Sequence, residues 1–173
     1  MGAFAKKIRY SGPLKESLRE ECRLLDISFH IPERNVATRW NSTVVMMNSI
    51  ASLREATDNL CDHQPALRQY KLTDEEWTII GQLQPVLNGF LDATKIISES
   101  NKCLVSEVIP LIDNLHAWLV EVADAENLHK TVRHAAQRGI AVMDKYYSLT
   151  DESNVARFAL RKFFLFLSVC MLY

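Results

Sequence analysis

The chain is short of the residues that most directly announce chemistry. Its four cysteines, Cys22, Cys61, Cys103 and Cys170, include no CxxC pair, so neither a disulfide framework nor a zinc ribbon is written here. They read as reduced, mostly buried thiols of an intracellular protein. Five glycines and five prolines in 173 residues exclude collagen-like and low-complexity chains. No glycine-rich phosphate loop and no GxSxG elbow occurs. Charge of one sign is missing too: a formal net charge of −1 provides no global pull toward nucleic acid, so any such affinity has to be local. The longest apolar run, Phe163 to Tyr173, falls short of the roughly 20 residues a membrane span needs. It reads as a core segment without its partner and as a surface for self-association.

What is present is helical periodicity. Leu14, Leu18, Cys22 and Leu25 form one stripe behind Ser11-Gly12-Pro13, and Ile27 to Ile31 suggests a short strand before the turn Pro32–Asn35. A second helix follows Trp40, with Asn41, Ser42 and Thr43 as N-cap candidates, and Val44, Met47, Ile50, Ala51, Leu53 and Leu60 as its stripe. Thr73 and Glu76 spell a capping box for a third, which Pro85 is expected to kink or split. A fourth is expected from about Val105 to Val122 and a fifth from about Glu126 to Tyr147. Short polar links between amphipathic helices predict a mainly α fold, an antiparallel helical bundle with at most a short N-terminal strand. The expected organisation is a basic-leaning segment over 1–38, a helical body over 39–154 and a divergent apolar tail over 155–173.

Catalytic and metal sites are hard to assemble. Cys61-x-His63 offers two ligands where zinc needs three or four, and His129 and His134 fall on different helix faces. Asp74, Glu75 and Glu76 suit the positive end of a helix dipole, and Asp151 and Glu152 read as turn residues. A two-metal nuclease needs acids converging from separate strands, and no strand-borne Asp is legible. The expectation is therefore no catalytic residue, no metal, no cofactor and no small-molecule substrate. The stretch with chemical promise is Thr38-Arg39-Trp40-Asn41-Ser42-Thr43. At a helix start, backbone amides attract phosphate, Arg39 can pair with it in bidentate fashion, and Trp40 can stack on an unpaired base. The competing reading makes Trp40 a core anchor and pairs Arg39 with an acid such as Glu55.

This segment, followed by Met46-Met47 and Leu53-Arg54-Glu55-Ala56, resembles the TRWNST region of hAT-family DNA transposases, which include BED-zinc-finger transposase-like proteins. Leu72 to Trp77, Leu87 to Phe90, Thr94 to Ser98, Val108 to Leu111 and Met143 to Tyr147 are similar to later landmarks of that family. The resemblance implies a ribonuclease-H-like core interrupted by an all-helical insertion, with three metal-binding acids that cut DNA. It places this chain between the second and third of those acids, as a catalytically incomplete fragment rather than an enzyme. Only Arg39 and Trp40 carry over as DNA-binding positions, the tryptophan supporting a flipped base at hairpin or unpaired ends. A nuclear location is implied by the same resemblance. The sequence departs from the family at Asn35 and Ala37, and again from Val155 to Leu160. The alternatives are a helical protein–protein interaction module or a transposon relic.

Overall fold

A computed structural model describes residues 1–99 and 105–150. Among them lie seven α-helices: α1 (Gly2–Arg9), α2 (Gly12–Leu24), α3 (Trp40–Ala51), α4 (Arg54–His63), α5 (Asp74–Glu99), α6 (Val105–Asp124) and α7 (Lys130–Thr150). A single 3-10 turn, Arg68–Tyr70, precedes α5. The mainly α expectation holds. The apolar tail, Cys103, Cys170, Asp151 and Glu152 lie outside the described residues.

The chain divides into two compact units, Met1–Gln84 and the part from Pro85 onward. In the first, Phe4, Ile8, Leu18, Cys22, Ile50, Leu53, Leu60, Leu67 and Trp77 share one buried cluster. Residues 1–38 thus build a common core with α3 and α4. The sequence gives no forewarning of α1. An eight-residue helix is too short to persist alone. Burial of Phe4 and Ile8, worth about 1.5–3 kcal/mol each, holds it in place.

The start of α2 follows the sequence: Ser11 caps it through its Oγ, which accepts from the Leu14 amide at 3.4 Å, and Pro13 stands in the first turn. Its end explains why the expected strand at Ile27–Ile31 does not form. Asp26 takes a left-handed conformation, φ 55°, and the Ile27 amide bonds back to the Cys22 carbonyl at 2.8 Å. This is a Schellman closure, which folds Ile27 and Phe29 onto the core as irregular chain. Among the described residues the one β feature is an isolated bridge between Val36 and Arg39.

The helix expected after Trp40 is two helices. Ser52 and Leu53 interrupt it, with the Ser52 hydroxyl donating to the Ser49 carbonyl at 2.9 Å and Leu53 fully buried. Conversely, α5 is one helix through Pro85, which it accommodates without ending. Its start is the expected capping box: the Thr73 amide donates to Glu76 Oε2 at 2.8 Å, and the Glu76 amide donates to Thr73 Oγ1 at 3.2 Å.

In the second unit α6 and α7 pack along each other, joined by residues 125–129. Arg133 Nε donates to the Ala123 carbonyl at 3.1 Å, and His116 Nε2 lies 2.9 Å from Asp144 Oδ1. Such pairs, nested about the turn, define an antiparallel hairpin. The start of α7 falls at Lys130, later than the sequence suggests, because the Leu128 amide closes a turn on the Ala125 carbonyl at 3.0 Å and His129 then caps the helix, its Nδ1 accepting the Thr131 amide at 3.2 Å.

Candidate functional site

The segment from His30 to Arg39 is held against α3 by a run of polar contacts. His30 Nε2 lies 3.1 Å from the Ser49 carbonyl and 3.0 Å from its hydroxyl, which also accepts the Glu33 amide at 3.1 Å. Further along, Ser42 Oγ accepts the Val36 amide at 2.7 Å, and Thr43 Oγ1 donates to Asn35 Oδ1 at 3.0 Å. Ser42 Oγ has one proton to donate, and the nearest acceptor to it is the Arg39 carbonyl oxygen, 2.6 Å from Oγ. A turn closes between them, the Arg39 amide donating to the Val36 carbonyl at 2.8 Å.

These bonds correct the expected N-cap. The cap is Arg39, extended at φ −134° and ψ 98°, with no side-chain capping bond; Asn41, Ser42 and Thr43 belong to the first turn of α3. From there the Ser42 and Thr43 hydroxyls reach back to the loop instead of capping the amides ahead of them.

The result is a groove of about 510 Å³ at the start of α3, with Glu33, Arg34, Thr38, Arg39, Trp40 and Asn41 among its walls. Arg39 is exposed and forms no ion pair with Glu55 or any other acid among the described residues. Trp40 is half-buried and stands outside the core cluster, whose tryptophan is Trp77. Asn41 Oδ1 is shut off from solvent without a hydrogen-bond partner. Val45, 42% exposed, adds an apolar patch to the same groove.

Two wall residues escaped the sequence reading. Arg34 enters the groove with its Nη1 donating to the Tyr10 hydroxyl at 3.0 Å. Glu33, beside it, is paired with Arg9 at 3.1 Å, so much of its negative charge is met from the α1 side. Nothing local in the sequence announces this meeting, since it joins residues more than twenty positions apart. The wider basic character of the N-terminus is offset only in part. Arg19 pairs with Glu16 and Arg23 with Glu20 at 2.6 Å, whereas Lys7 donates to the neutral Ala66 carbonyl at 2.9 Å and keeps its charge.

The other candidates do not converge. Cys61 is buried, and desolvation, helped by the Asp58 and Asp62 carboxylates, pushes its thiol up to about 11. His63 turns instead to Glu21, 2.8 Å away. Among the described residues no group of three or more His, Cys, Asp or Glu side chains gathers as a metal site would require. Asp74 meets Arg54 at 3.4 Å, and Glu76 is engaged in its cap. No described helix is long and apolar enough to cross a membrane.

Fold and groove together define a class: a helical module that presents an arginine–tryptophan pair at a helix start. Comparison with known proteins narrows this. Residues 3–86 match the ZBED1 RNase-like helical domain, nearly the span of the first compact unit. The chain is also 26% identical over 123 residues to the "Putative transcriptional regulator tpeD" of Talaromyces stipitatus. That alignment covers 70% of this chain and 12% of the relative, so the chain spans only a small part of that curated protein's length. No solved structure matches it.

Proposed function

We propose that the chain is a transposase-derived, catalytically incomplete module that binds DNA at unpaired or hairpin ends in the nucleus. In this reading residues 1–38 close the ribonuclease-H-like core, and residues 39–154 correspond to its helical insertion. The observation that carries it is the groove in which Arg39, exposed and without an acid partner among the described residues, stands next to half-buried Trp40. A guanidinium with no carboxylate to satisfy it is available to a phosphate, and an indole next to it is the side chain on which a base would stack. Similarity to the helical domain and to a protein named as a transcriptional regulator supports DNA as the partner and regulation as the setting. The acids that would cut DNA are assigned to other parts of a transposase, so the module holds DNA and does not cleave it.

The test is fluorescence anisotropy with labelled hairpin-ended and blunt duplex DNA, at low and moderate salt, on the wild-type chain and Trp40→Ala. The hairpin should bind more tightly, and Trp40→Ala should remove that preference by about 1–3 kcal/mol. Equal binding of both DNAs by both proteins would overturn the reading.

A further inference from the structure

The groove has a second cation that neither the motif nor the family resemblance assigns. We propose that Arg34 is a second phosphate-contacting residue, aligned by Tyr10, so that one DNA strand is held at two phosphates around the base that meets Trp40. The inference rests on the DNA reading above and specifies how that site grips its ligand.

Three observations support it. Arg34 and Arg39 line the same groove as Trp40, approaching from two separate stretches of chain. The Arg34 guanidinium has no carboxylate partner among the described residues; its recorded bond is to the neutral Tyr10 hydroxyl, at 3.0 Å. A hydroxyl orients a guanidinium without neutralising it, which leaves the other N–H groups charged and free to donate to an anion. Lastly, Glu33, the one acid of the groove wall among the described residues, has its carboxylate drawn to Arg9 at 3.1 Å, and Arg9 also ties the loop down by donating to the Pro32 carbonyl at 3.3 Å. The end of α1 therefore sets both charges of the loop: Arg9 offsets Glu33, and Tyr10 aims Arg34.

An isolated cation would give an anion site indifferent to its carrier. Two cations with an indole in the same groove suit a strand, which offers phosphates at regular intervals with a base between them. Tyr10, 66% exposed, is a positioning residue in this arrangement. Its contribution is to spare Arg34 the conformational freedom that binding would otherwise remove.

The experiment measures affinity for the hairpin DNA across a salt series, using the full chain, and compares Arg34→Gln, Arg34→Lys, Arg39→Gln, Tyr10→Phe and the Tyr10→Phe/Arg34→Gln pair. Each is checked for unchanged helicity. Arg34→Gln should flatten the plot of log affinity against log salt by about 0.7–0.9, the share of one phosphate contact, as should Arg39→Gln. Arg34→Lys should restore the slope. Tyr10→Phe should weaken binding about two- to ten-fold, the scale of one hydrogen bond, and should have no effect once Arg34 is Gln. If Arg39→Gln and Trp40→Ala weaken binding while Arg34→Gln leaves affinity and slope unchanged, the role of Arg34 is overturned and the DNA reading survives. If Tyr10→Phe costs the same with or without Arg34, the alignment is overturned. A wild-type chain that binds no DNA overturns both.

Discussion

Individual residues show where this molecule is under tension. Among the described residues Thr57 is the one polar side chain in the buried set, at 4% exposure, and its hydroxyl has no hydrogen-bond partner among them. A buried, unpaired hydroxyl costs on the order of 1–3 kcal/mol, and valine offers nearly the same shape without it. Thr57→Val should therefore raise stability by about 1 kcal/mol in urea unfolding, while Thr57→Ser, which keeps the hydroxyl and opens a void, should lower it. Gly89 shows the opposite constraint. Ordinary helix propensity favours alanine over glycine by about 1 kcal/mol inside α5. Here a Cβ would lie 2.2 Å from Trp118 Cζ3, so the indole would have to shift. Overpacking of this kind typically costs about 1–3 kcal/mol, and Gly89→Ala should destabilise the protein despite its better propensity. A gain in thermal stability on that substitution would show that Trp118 does not rest on the glycine. Cys61 tests burial by reactivity. With Cys103 and Cys170 replaced by serine, neither Cys22 nor Cys61 should react with a thiol reagent at pH 8 until denaturant is added, since both are buried and their pKa values are raised chiefly by desolvation.

Helix α5 shows best how an element is both written in sequence and sensitive to conditions. The Thr73 amide, then its hydroxyl, hold the Glu76 carboxyl below its ordinary 4.5. A carboxylate depressed in the folded state adds stability above the unfolded value, which disappears as pH falls through the folded one, because the unfolded chain binds more protons there. Wild-type stability should thus fall below about pH 4.5 more steeply than that of Glu76→Gln, in which the amide oxygen still accepts from Thr73. Thr73→Ala should cost about 0.5–2 kcal/mol at neutral pH. The capping box was legible because its partners lie three residues apart, and the stripes of α2 and α6 because their spacing repeats over several turns. Other features depend on distant packing. The first helix has only Phe4, Ala5 and Ile8 to signal it, among lysines and an arginine. The break at Ser52–Leu53 comes from one serine returning to Ser49 and from the burial of Leu53. The strand-like run Ile27–Ile31 has no neighbouring strand among the described residues, and Asp26 turns the chain before one could extend. At the candidate site, the Arg39–Trp40 pair could be singled out from its neighbours in sequence. Arg34 could not, because Tyr10, Arg9, Ser49 and Ser42 bring its loop to the groove across six to twenty-four positions.

At the scale of the molecule, the division after Gln84 implies separable cores. The cluster from Phe4 to Trp77 lies wholly before it, and a unit of this size can sustain one core. A fragment spanning residues 1–99, which keeps α5 whole, should remain helical and unfold in a single cooperative urea transition. A gradual, non-cooperative loss of helicity would show that this core depends on the rest of the chain. The chain's three tryptophans fall in three different settings. Trp77 is sealed in the first core, its Nε1 donating to Asp58 at 3.1 Å beneath the Arg54 guanidinium. Trp118 lies on Gly89 in the second unit, and Trp40 borders the groove. Nature has in this way placed a fluorophore in each unit and a third at the proposed point of contact. Three single-tryptophan variants would let the light emitted by the chain itself distinguish melting of the first core, loosening of the second and arrival of a ligand, without any attached dye.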